Sequence, residues 1–142
     1  MRYLLDTDHI SFLQRRSAPE HAVLMARMSE HSLADFAFSV VSFQEQALGA
    51  HTYVARARTT AELIRGYTLF SDILHGFLNA PVLPFDAAAG AALDSLRARH
   101  VRIAAMDLRI AAMALSRDLI VLTRNELDFG RVPGLLTEDW TA

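Results

Sequence analysis

Short, unbroken apolar runs alternate along the chain with stretches whose apolar residues return every three or four positions. Residues 2–6 (RYLLD) read as a brief, continuously apolar strand, followed by a helix from about Asp8. APEHAVLMARMSEH, from Ala18, has helical spacing, whereas DFAFSVV, ending at Val41, has the aromatic and β-branched content of a strand. SFQEQALGAHTYVARA begins with Ser42 and Glu45 in S-x-x-E spacing, a helix-start signature. TTAELIRGYTLFSDILHGFLNA repeats it with Thr59 and Glu62. Pro81 stops that helix before the strand VLPF, whose exit residue Asp86 is placed to cap AAAGAALDSLRARH. A helix near Met106–Ser116 leads into LIVLT (119–123), an almost wholly apolar strand. The tail carries a turn at Pro133-Gly134 and an expected edge strand.

Strands that are apolar on both faces and alternate with helices predict a mainly parallel sheet covered on two sides. The expected fold is a three-layer α/β/α domain. At 142 residues, with no linker, repeat or low-complexity tract, residues 1–142 are expected to form a single domain.

Composition narrows the chemistry. The chain has no cysteine, which excludes thiolate metal sites and a cysteine nucleophile. No window approaches the ~18 apolar residues of a membrane span, and the first residues lack the pattern of a secretory signal. The expected setting is therefore the cytoplasm, with no membrane partner. Net charge is −2, which gives no global argument for nucleic acid. All 14 basic residues are arginine, a side chain suited to bidentate phosphate contacts. Arg15/Arg16, Arg56/Arg58 and Arg97/Arg99 read mainly as solvated helix faces.

Sites in open α/β sheets form beyond the carboxyl ends of the strands. Asp6 and Asp8 end the first strand, Glu45 follows SVV, Asp107 opens MDLRIAAMAL, and Asp128 follows LIVLT in TRNELDF. Taken singly, each acid reads as a helix-start residue: Glu45 as the partner of Ser42, Asp107 as an N-cap, Asn125-x-x-Asp128 as a cap, and Asp86 likewise. Taken together, carboxylates on one sheet edge repel one another unless a divalent cation neutralises them. Oxygen-only ligands favour Mg²⁺ or Mn²⁺, and the absence of Cys and of a paired-His motif disfavours zinc. Spacing alone leaves the cap and ligand readings both open.

YLLDTDHIS, SVVSFQEQALGA and MDLRIAAMALSRDLIVLTRNELDFGRVPGLLTEDW resemble, in that order, the PIN-domain ribonucleases, specifically the VapC toxins of type II toxin–antitoxin pairs. The likeness spans essentially the whole chain and is most specific in its C-terminal third. It implies a PIN-like domain and an RNA-cleaving toxin dependent on Mg²⁺ or Mn²⁺. Asp6 and Asp107 would be the principal metal ligands, and Glu45 and Asp128 would complete a catalytic acidic set. Thr7, Asp8, Thr123 and Asn125 would surround and orient them. Arg109 and Arg124 are the arginines nearest these acids in sequence and could contact phosphates. The resemblance further implies a homodimer and a cognate VapB-type antitoxin that occludes the site. Apolar residues of HAVLMARM and GYTLFSDILHGFL are candidates for those interfaces or for the core. Asp8 stands where the family often has Asn, and Asn125 where some members carry the fourth acid. RHVRIAAM replaces a glycine common before the D-x-x-IAA helix.

Two other readings compete. LLDTDHI also looks like the D-x-D motif of haloacid-dehalogenase phosphohydrolases, with Asp6 as nucleophile, but the lysine that chemistry employs is missing. A non-cleaving RNA- or partner-binding module is the other alternative, and the presence of all four acids argues against it.

Overall fold

The computed structural model describes residues 1–142. In chain order the elements are β1 (Tyr3–Leu5), α1 (Thr7–Gln14), α2 (Pro19–Met28), a 3₁₀ turn (Leu33–Asp35), β2 (Phe36–Ser39), α3 (Val40–Ala55) and α4 (Thr60–Gly76). They continue with β3 (Val82–Leu83), α5 (Ala87–Ala98), α6 (Ala105–Ser116), β4 (Ile120–Leu122), α7 (Glu126–Phe129) and β5 (Thr137–Glu138). The five strands form one sheet in the order β3-β2-β1-β4-β5. Every pairing is parallel: Tyr3 lies beside Phe36 on one side and Ile120 on the other.

The three-layer arrangement expected from the apolar runs is present, because a parallel strand with helices on both faces must be apolar throughout. Tyr3, Leu4 and Leu5 are all buried. Their alternation sends Leu4 toward Ala37, Leu93, Leu96, Ile110 and Val121, and sends Tyr3 and Leu5 toward Ile10, Leu24, Phe36, Phe38 and Trp140. Helix α6 presents Ile110, Ala111, Ala112, Met113 and Ala114, all at 0 % exposure, so small side chains let it lie close against its neighbours.

Several boundaries differ from the sequence reading, for capping reasons. Helix α1 begins at Thr7, one residue before the expected start, because the Asp6 carboxylate already accepts from the Thr7 N–H at 2.8 Å. Strand β2 ends at Ser39 and not at Val41: the Ser39 hydroxyl accepts from the Ser42 N–H at 3.0 Å, which starts α3 three residues before the expected signal. The cap assigned to Asp86 holds, with the Ala89 N–H donating to it at 3.0 Å. Thr59 and Glu62 do form a capping arrangement, Glu62 N–H to Thr59 at 3.1 Å and Arg58 N–H to Glu62 at 2.7 Å.

Sheet order places the site. The chain builds outward from β1 to β2 and β3, then crosses back to build β4 and β5 on the other side. The strand order therefore reverses between β1 and β4, and the crevice beyond their carboxyl ends is the place where such sheets bind ligands.

Candidate metal centre

Residues Asp6, Thr7 and Asp8 leave β1 at this crevice, and Thr123, Arg124 and Asn125 leave β4. Helix α6 runs toward β4, so its first turn lies at the same edge and carries Asp107. Helix α3 starts from the end of β2 and carries Glu45 on its second turn. Carboxylate oxygens of Asp6, Glu45 and Asp107 all lie within 4.8 Å of one another.

Asp6 does cap α1, but the cap readings of Glu45, Asp107 and the Asn125–Asp128 pair do not survive. Glu45 is not the partner of a Ser42 cap, because Ser39 has already started the helix and Glu45 sits six positions on. Asp107 is the third residue of α6 and not its N-cap, a position held by Ala104 without a side-chain bond. Asn125 precedes α7 but makes no side-chain cap. It donates instead to Asp107 at 3.5 Å and Asp128 at 3.1 Å, bridging the two acids. Asp128 therefore stands one step outside the cluster, reached through Asn125, and Arg131 lies 3.8 Å from its other oxygen.

Hydroxyls brace the acids. Thr123, fully buried, donates to Asp6 Oδ2 at 2.8 Å and accepts from the Asn125 N–H at 2.9 Å. Thr7 donates to Glu45 Oε1 at 3.0 Å and lies 3.0 Å from the Ser42 hydroxyl, which in turn meets Ser39 at 3.2 Å. Both oxygens of Asp8 are engaged: Oδ1 by His9 at 2.7 Å, and Oδ2 by the Arg124 N–H at 2.9 Å. Ser39, Ser42 and His9 were not singled out from sequence as supports of the site. A serine at a helix start reads as a cap, and a lone histidine beside an acid reads as core.

The electrostatics of these acids suit a divalent cation. Burial, with the neighbouring Asp8 carboxylate adding to it, pushes the Asp6 carboxyl up to about 7 despite its bonds from Thr123 and Thr7. Burial also raises Glu45, with Asp107 and Asp8 reinforcing it, and raises Asp107, with Asp128 and Asp8 reinforcing it. No ion pair to Asp6, Glu45 or Asp107 relieves this repulsion. An all-carboxylate donor set with no protein cation beside it is what a hard divalent cation requires. Neither nearby arginine reaches these acids with its guanidinium. Arg124 lies over the Phe12 ring at 5.3 Å, and Arg109 lines an apolar hollow with Phe43, Leu48 and Phe85. The paired arginines at 15/16, 56/58 and 97/99 are exposed, as expected of solvated faces.

No protein-family model matches the chain. It is 40% identical over 74 residues to the tRNA(fMet)-specific endonuclease VapC of Shigella flexneri, an alignment that spans about half of each protein, 49% of this chain and 56% of that one. It is 28% identical over 145 residues to the protein of the same name from Salmonella typhimurium, covering 99% of this chain and 98% of the relative. Its fold superposes on the crystal structure of the DNA-bound VapBC from Salmonella typhimurium with a TM-score of 0.78 at 23% identity, over 99% of this chain and 98% of that one.

Proposed function

We propose, for a chain that belongs to the VapC family of PIN-domain toxins, that the acidic crevice is the active site of a metal-dependent endoribonuclease. The observation that carries this reading is the meeting of three carboxylates, from three separate elements, within 4.8 Å at the point where the strand order reverses.

In this reading Asp6 and Asp107 hold Mg²⁺ or Mn²⁺. The bound ion supplies neutralisation of a phosphodiester and acidification of water. Thr123 fixes the rotamer of Asp6, and Asn125 fixes that of Asp107. Glu45, held by Thr7, completes the pocket and is placed to orient the attacking water. Asp128 acts through Asn125 and extends the negative field at the rim. Hydrolysis breaks the P–O3′ bond, leaving a 5′-phosphate and a 3′-hydroxyl, with no need for the RNA 2′-hydroxyl.

The names of the two relatives make initiator tRNA the first substrate to try. The same family reading assigns a VapB-type antitoxin partner and a homodimer. Helix α4 supports a partner-covered surface, since Ile64, Tyr67, Leu74 and Leu78 on it and just beyond it are exposed. No helix is long and apolar enough to cross a membrane.

The test incubates antitoxin-free protein with initiator tRNA and a mixed RNA pool, with Mg²⁺, with EDTA, and as Asp6→Asn. Discrete fragments bearing 5′-phosphates, formed only with metal and intact Asp6, are expected. Cleavage that persists in EDTA, or from Asp6→Asn, sinks the reading.

A further inference from the structure

His9 lies outside the acidic cluster, yet it is as fully enclosed as Ser39, Ser42 and Thr123 beside it, at 0 % exposure. Both ring nitrogens are matched. Nε2 accepts from the Trp140 N–H at 3.1 Å, so the proton sits on Nδ1, which donates to Asp8 Oδ1 at 2.7 Å. Burying an imidazole in an aromatic and aliphatic core is costly unless its hydrogen bonds are made, and an apolar side chain would fill the same space without that requirement. The ring's chemistry is therefore used for what it joins.

One end of the connection is rigid. The Trp140 indole N–H donates to Glu138 at 2.6 Å, its ring stacks on His31 at 5.1 Å, and the Arg27 guanidinium covers it at 4.9 Å. The other end is the site. Asp8 Oδ2 accepts from the Arg124 N–H at 2.9 Å, at the start of the segment in which Thr123 bonds Asp6 and Asn125 bonds Asp107. We propose that His9 is a positioning residue: it ties the tail after β5 to the β4–α7 turn by fixing Asp8, and so presets the carboxylates that hold the metal. The inference rests on the metal-site reading for its functional consequence, but the hydrogen-bond chain is testable without metal.

Three variants separate the two ring nitrogens. His9→Asn keeps a donor where Nδ1 stands and loses the acceptor. His9→Gln keeps an acceptor within reach of Trp140 and loses the donor. His9→Leu keeps only the bulk. Mn²⁺ alone is titrated by calorimetry, and amide hydrogen exchange at Arg124 is followed in EDTA. His9→Gln and His9→Leu are expected to lose about 10- to 100-fold in Mn²⁺ affinity, the usual consequence of freeing a ligand's orienting partner. They should also lose Arg124 protection, whereas His9→Asn, which keeps the bond to Asp8 but frees the Trp140 N–H, falls between them and wild type in both.

If Mn²⁺ affinity and Arg124 protection in His9→Gln match wild type, or if all three variants fall in proportion to their Tm, the positioning role is wrong. A wild-type protein that binds no Mn²⁺ would instead count against the metal reading, while Arg124 exchange would still decide the role of His9. Where a variant fails to fold, ¹⁵N imidazole shifts of wild type decide: an Nε2–H tautomer at His9 overturns the proposal.

Discussion

A single carboxyl concentrates the conflict between folding and chemistry. Asp6 is 6 % exposed and is pushed up to about 7, mainly by burial. From about pH 4 to about pH 7 the folded protein therefore keeps a proton that the unfolded chain has released, so stability falls as pH rises through that window. The largest effect, from 1.36 kcal/mol for each pKa unit, is about 4 kcal/mol. Metal-free protein should accordingly melt lower at pH 8 than at pH 5.5, and millimolar Mg²⁺ should raise Tm more at pH 8. Asp6→Asn should flatten the pH profile and abolish the Mg²⁺ response; thermal melts at both pH values with EDTA or Mg²⁺ check this. A wild-type Tm indifferent to pH and Mg²⁺ would contradict the account. At this scale the sequence showed which acids follow strands, but not their separations. Thr7, next to Asp6, reaches Glu45 across 38 residues, and its hydroxyl carries no pattern of its own.

Helix starts decided more than helix interiors. Because Ser39 ends β2 and caps α3, Glu45 falls on the second turn and faces Thr7; had Ser42 been the cap, Glu45 would have been consumed at the helix end. Ser39→Ala should cost about 1 kcal/mol from the lost cap, read as a lower denaturant midpoint with unchanged slope. It should also lower RNA cleavage, because the hydroxyl chain Ser39–Ser42–Thr7 ends on Glu45. The apolar pattern located every helix but α7. It misplaced the β2–α3 boundary because Val40 and Val41 suit a strand, while the local hydrogen bond to Ser39 outweighs that preference. The end of α6 was read at Ser116 and that of α5 within two residues, although neither is marked by a glycine. His100 (φ 58) and Asp118 (φ 54) occupy left-handed positions that glycine usually marks.

For the molecule as a whole, parallel order around β1 was legible in the two-faced apolar runs, whereas strand order was not, since nothing local tells β4 to join β1 on the side away from β2. The closing contacts lie in the shared core. Ile110, at 0 % exposure on α6, packs in the same cluster as Leu4 and Val121, so Ile110→Ala should cost about 2–5 kcal/mol while leaving the acids untouched. Chemical denaturation and residual cleavage well below the new midpoint separate the two effects; a variant as stable as wild type would show that α6 docks less tightly than its burial indicates. The centrality of β1 has a consequence for when the pocket assembles. Thr123 and Asp6 are 117 residues apart, so β1 gains its β4 neighbour only after every element between them has been made. A nascent or prematurely terminated chain holds Asp6 without Asp107 or Thr123, and so has no pocket. The acidic pocket is therefore a late product of synthesis, formed only once the two ends of this long separation have met.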